Sequence, residues 1–134
     1  RMTIPKLLTS LCLILAGMGP LLLDIGDTHL FNPNWDEHSR VHEVWRLATN
    51  SMIAFLGLYL IWKKNMLSIA SLLSLCMILG FMISVVTMPY YNGLAVGVGI
   101  EELRPFNIPL NILSFLVVFG IQSVAILLVY KDNK

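Results

Sequence analysis

Charge is what this sequence has least of. Only 13% of its 134 residues are Asp, Glu, Lys or Arg, where soluble domains run near a quarter. No water-facing surface can be covered with so few. The formal net charge is +1, which excludes recognition through a bulk electrostatic field, so nucleic acid is not an expected partner. Cysteine is scarce as well. Cys12 and Cys76 both lie inside apolar runs, which excludes a disulfide framework or a thiolate-rich metal site. Internal repeats, low-complexity tracts and polar linkers are missing too, so residues 1–134 read as a single membrane domain.

What is present instead is apolar residue. Fully 57% of the chain is hydrophobic and the mean hydropathy is +0.77. A helix needs about 20 mostly apolar residues to cross the hydrocarbon of a bilayer. Four stretches meet that length, at about 4–23, 44–62, 66–88 and 109–130. The expected fold is all-α, an integral membrane four-helix bundle. Lys63-Lys64-Asn65 leaves room only for a tight turn, making the second and third helices antiparallel neighbours. The longer connections, 24–43 and 89–108, fall on the opposite side from that turn. Arg1, Lys6, Lys63, Lys64, Lys131 and Lys134 flank one side, against Arg40, Arg46 and Arg104 on the other. Six against three points to an N-in/C-in orientation by the positive-inside rule. Asp24, Asp27, Asp36, Glu37, Glu43, Glu101 and Glu102 then lie outside, as do His29, His38 and His42. The first span has no A-x-A-like cleavage site and reads as a retained anchor. Met2 reads as a natural start, with Arg1 as an addition.

The chemistry is concentrated in the first outer connection. Asn32-Pro33 signals a turn, and Asn34 with Glu37 three residues on has the spacing of a capping box. A helix from there to Trp62 has about 28 residues and a length of about 42 Å, more than a hydrocarbon core of about 30 Å. The second helix is therefore expected to extend beyond the outer face by about two turns. His38, His42 and Arg46 follow at i, i+4 and i+8, with Trp45, Thr49 and Asn50 on the same broad face. Such a stripe is costly against lipid, so it is expected to face the bundle interior or a wet cavity. Asp24, Thr87, Asn111 and Ser114 are the matching groups on the other spans, and Gln122 lies deeper. The second outer connection is apolar for a loop, and its glycines lack the strand-to-helix setting of a phosphate cradle. It reads as an interfacial cap over the bundle mouth, with Tyr90 and Tyr91 at the aromatic belt.

Two chemistries fit these residues. His38-x-x-x-His42 is the spacing by which imidazoles on consecutive turns hold one metal, with His29, Asp24, Asp27, Glu43 or Glu101 to complete the set. The cofactor this spacing admits is a divalent metal of unassigned identity; the plainer account has both histidines hydrogen-bonded to the outer acids. The second chemistry is proton transfer on a greasy substrate by Asp24, His42, Glu43 and Glu101 at the edge of an apolar cavity. Arg46 would serve as counter-charge or as anchor for an anionic headgroup, and Trp35, Trp45, Asn50 and Asn111 would line the ligand site. The plainer account is a structural ion-pair network of Arg46 with Asp24 or Glu43 and Arg104 with Glu101. Trp62 marks an interface, and Met18, Met52, Met77, Met82 and Met88 read as core filler. Pro20 is expected to kink the first span. Gly17, Gly19, Gly57, Gly80 and Gly120 would allow close helix approach, within the bundle or toward a second copy or a larger membrane complex.

The run Thr28-His29-Leu-Phe31-Asn32-Pro33-Asn34-Trp35-Asp-Glu-His38-Ser-Arg40-Val-His42 resembles a T-H-x-F-N-P-x-W-x-x-H-x-R-x-H segment of small bacterial four-helix membrane proteins of unknown function. There the segment joins the first two spans. The resemblance implies a multi-pass protein of the bacterial inner (plasma) membrane and brings no activity. At fold level only, four spans with Asp24 at the outer end of the first look like the EXPERA group, which includes sterol isomerases and sterol- or drug-binding proteins, and like DoxX-like proteins. That likeness implies a lipid, isoprenoid or sterol-like ligand within the bundle. A non-enzymatic accessory or metal-handling subunit of a membrane complex is the alternative from a different class.

Overall fold

The computed structural model describes residues 3–134, so the start at Met2 lies outside the described residues. Four helices are long and apolar enough to cross a membrane: α1 (Thr3–Leu23), α2 (Glu37–Trp62), α3 (Leu67–Tyr91) and α4 (Leu110–Asp132). By that measure the chain is an all-helical, multi-pass membrane protein, and no strand occurs among the described residues. The helices pack in the order α1, α2, α3, α4, with α1 closing the ring on α4 and also touching α3. Residues 24–36 and 92–109 gather at one end, called here the loop end. Lys63, Lys64 and Asn65 turn the chain at the other.

Why the bundle needs a lipid solvent is plain from its exterior. Large apolar side chains such as Val86 (75% exposed), Leu127 (64%) and Phe55 (60%) project outward from the helices. The interior, by contrast, is small-residue and partly polar: Ala16, Ala54, Gly57, Ala70, Ser71, Ser74 and Ala125 are all buried. Where lipid is as apolar as leucine, burial of apolar area does not separate inside from outside, and close backbone approach takes over. Gly17 shows it best. A Cβ there would lie 2.6 Å from Ala54 Cβ and 2.9 Å from the Asn50 carbonyl oxygen. Gly57 is similarly roofed by Leu13. Gly80 and Gly120 do not share this role, because open space surrounds them.

Three local features differ from the expectations above. Pro20 does not act alone: the turn before it, Ile14–Met18, is widened to a π-turn, and the Gly19 N–H reaches back to Ile14 O. Pro20 has no N–H to give and its ring crowds the preceding turn, and an extra residue there relieves both. The α2 cap is Asp36 rather than Asn34. Asp36 Oδ1 accepts the Ser39 N–H at 2.6 Å, while the Asn34 N–H is taken by Asn32 Oδ1 at 2.9 Å. Asn32, only 2% exposed, uses the Asx turn its type favours and so removes Asn34 from the helix. At 26 residues, α2 is about 39 Å long. Third, buried polarity is not confined to the loop end. In the opposite half Gln122 Nε2 donates to Thr9 Oγ1 at 3.2 Å, and the Trp62 indole N–H donates to Ser10 Oγ at 3.0 Å.

Asp36 yields a first prediction. The Ser39 N–H holds its carboxyl below the usual range. A depressed carboxylate stabilises the fold fully above its unfolded pKa of about 3.9 and loses that contribution as pH falls through the lower folded value. Asp36→Ala is therefore expected to speed amide exchange at His38 and Ser39 at neutral pH, and the difference from the parent should shrink on acidification. Asn34→Ala should leave those amides unchanged.

Candidate functional site

Inward-facing positions on α2 are Glu43, Leu47, Ser51, Ala54, Gly57 and Ile61. Their spacings of four and three define one face. Each residue turns the helix by about 100°, so Glu43 belongs to that face and Arg46, three residues on, borders it. At the loop end the seam meets Asp24, which follows the last turn of α1 with its N–H bonded to Pro20 O.

Arg46 joins the three. Its Nε donates to Glu43 Oε2 at 3.1 Å and an Nη donates to Glu43 Oε1, a bidentate pair. The same Nη donates to Asp24 Oδ2 at 2.5 Å. Glu43 is only 7% exposed, and a carboxylate buried to that extent is costly without such a partner. Asp24 Oδ1 lies 3.5 Å from His29 Nδ1, and that nitrogen is also 3.1 Å from Thr28 Oγ1. His29 in turn meets the Trp35 ring edge-on at 5.7 Å between centroids.

Asp24, Thr28, His29, Glu43 and Arg46 line a cavity of about 550 Å³ at the loop end. Phe81 of α3, Phe115 of α4 and the 94–97 segment of the second long connection supply apolar lining, and Glu101, Glu102, Asn111 and Ser114 add polar groups from the same connection and helix. Phe81 and Phe115 stack at 4.1 Å. Asn111 ties the covering segment down, donating from Nδ2 to Ala95 O at 2.6 Å. Glu102 Oε1 accepts the Asn111 N–H at 3.1 Å and so caps α4, which has no side-chain cap at Pro109. Asn34 Nδ2 reaches Val98 O at 3.5 Å, linking the two long connections. The second connection thus lies over the bundle mouth.

Of the residues named from the sequence, Asp24, His29, Glu43, Arg46, Glu101 and Asn111 line this one cavity. Thr28, Glu102 and the Phe81–Phe115 pair line it too and had not been singled out as site residues; the acid run Glu101-Glu102 was the only visible signal. Trp35, His42, Trp45 and Asn50 are not among the lining residues. His42 and Trp45 are exposed on another flank of α2, for the same rotational reason: His42 is about 100° from Glu43 and Trp45 lies nearly opposite the buried seam. The stripe therefore splits: Arg46 borders the buried face and His38, His42 and Trp45 are exposed, while Thr49 and Asn50 are half-buried. Thr87 bonds back to Ile83 O on its own helix at 2.6 Å. Among the described residues no group of three or more His, Cys, Asp or Glu side chains is arranged to hold a metal ion. His29 sits with Asp24, whereas His38 and His42 pair with each other.

The charge of the cavity follows by inspection. Two carboxylates against one guanidinium leave an excess negative charge, and Glu101 and Glu102 add to it. Arg46 is held by Asp24 and Glu43, an arrangement in which it serves as their counter-charge. No family model matches this chain, and neither does any curated protein or solved structure.

Proposed function

We propose that the protein binds a hydrophobic small molecule of lipid, isoprenoid or sterol-like class in the loop-end cavity. The carrying observation is the mixed lining: aromatic and aliphatic side chains share a cavity of about 550 Å³ with Asp24, Glu43, Arg46 and His29. Ligand pockets span roughly 300–1,000 Å³ and combine apolar area with a few polar groups that fix orientation. The excess of carboxylates favours a ligand whose polar end donates hydrogen bonds or carries positive charge. With the N-in/C-in orientation that the Lys and Arg distribution supports, the cavity opens on the outer side of a bacterial plasma membrane.

The test is native mass spectrometry of the protein released gently from detergent, beside Ala95→Phe and Ser114→Phe. Both substitutions place a ring in the cavity. The Ser114 hydroxyl bonds only to Leu110 O of its own helix, so no contact between helices is lost there. The expected result is a bound small molecule in the parent that is depleted in both variants at unchanged thermal stability. Identical spectra would overturn the reading and leave the accessory-subunit account standing.

The contact of His29 with Asp24 on the cavity wall supports a second reading, acid/base chemistry on the bound molecule. A His29 and Asp24 pair can pass a proton to a group held beside it. Ligand retained by His29→Ala without conversion, where the parent converts it, would establish that role; conversion by both would exclude it.

A further inference from the structure

His38 and His42 are left unused by the cavity. We infer that they form a two-imidazole site for a borderline divalent cation (zinc, copper(II) or nickel(II)) on the exposed flank of α2. The two Nε2 atoms stand 3.1 Å apart. Metal–imidazole bonds of about 2.0–2.1 Å would separate two nitrogens by about 2.9 Å at an octahedral edge and about 3.4 Å at a tetrahedral one. The observed separation falls between those bites, so the two nitrogens stand at the spacing one ion requires.

The surroundings favour such an ion over a structural role. Both side chains are exposed, so an ion can approach and water can fill its remaining positions. Neither ring has a carboxylate partner among the described residues, where the only histidine ion pair is that of His29. Without a cation, the pair has one recorded polar contact, the single bond between them. Two imidazole nitrogens with no carboxylate ligand favour zinc, copper or nickel over magnesium and calcium. The His42 ring also stacks on Trp45, with centroids 5.9 Å apart at 21°. That stacking restrains the ligand and provides an optical reporter.

The experiment uses the full chain, tag-free in detergent, titrated with copper(II) and separately with zinc. Copper(II) should quench tryptophan fluorescence saturably at one ion per chain, and calorimetry should show zinc uptake of the same stoichiometry. His38→Ala and His42→Ala should each weaken binding by about tenfold or more, since one of two protein ligands is lost. Trp45→Phe should abolish most of the quenching while calorimetric uptake persists, and His29→Ala should change neither. Absence of saturable uptake in the parent, or equal uptake by a His38→Ala, His42→Ala double variant, would overturn the site. Magnesium binding at the same place would overturn the selectivity. None of these outcomes bears on the cavity, which lies on a different face of α2.

Discussion

Arg46→Met is expected to be among the most damaging single substitutions in the chain. It leaves Glu43 buried without a counter-charge and removes the guanidinium partner of Asp24 Oδ2. Breaking a buried ion pair by deleting one member costs about 3–5 kcal/mol. The Arg46 side chain is 38% exposed, so water softens the loss, and the lower end of about 3 kcal/mol is the expectation. Thermal unfolding in detergent measures it. The informative comparison is Arg46→Met with Glu43→Gln added. A neutral amide no longer needs a guanidinium, so the double variant should regain a large part of the lost stability. If single and double variants unfold at the same temperature, the stranded charge is not the source, and Arg46 matters through packing of its aliphatic stem.

Gly17→Val should be comparably severe for a reason without electrostatics. The first carbon added meets Ala54 Cβ and the Asn50 carbonyl oxygen at distances that folded proteins do not tolerate. Neither neighbour is the far end of a flexible chain, so α1 and α2 must separate. Overpacking of this kind costs up to about 3 kcal/mol. Gly80→Val and Gly120→Val are the matched controls, since no atom within 4 Å awaits a Cβ at either position. Both should remain within about 0.5 kcal/mol of the parent. Equal loss at all three sites would mean that helix propensity, not the α1–α2 contact, governs the response.

The fold was legible because a bilayer imposes length. Four apolar runs of the right size and one Lys-Lys-Asn turn leave little choice of architecture, and the helices fall where those runs lie. The site was legible only in part. Asp24, Glu43 and Arg46 stood out as charges at the edges of spans, where they need partners. Which way α2 turns was misjudged because the polar stripe His38-His42-Trp45 was taken to mark the inside. The small residues Ala54 and Gly57, in register with Glu43, carried the better signal: in lipid the close-packed face holds small side chains, and polar residues beyond the hydrocarbon are free to face water. The helix start was missed because two asparagines and an aspartate compete for the cap within five residues. Asn32 settles that competition through a turn that no local pattern ranks. Glu102 and the 94–97 cover were out of reach, since their roles depend on where a long loop returns across the bundle.

The widened turn at Ile14–Met18 sets an angular phase. One additional residue in a turn rotates everything after it by about 100° relative to an unbroken α-helix. Below the turn, Thr9, Cys12 and Ala16 fix which side of α1 faces the bundle; above it, the same side must present Asp24 to Arg46. An unbroken α-helix would put Asp24 about 80° round from Ala16, and the offset brings it back toward that side. The first helix therefore behaves as two rigid shafts joined by a fixed-angle coupling. Substitutions in the coupling adjust its stiffness, whereas losing or gaining a residue there would turn the Asp24 shaft out of gear with the rest of the bundle.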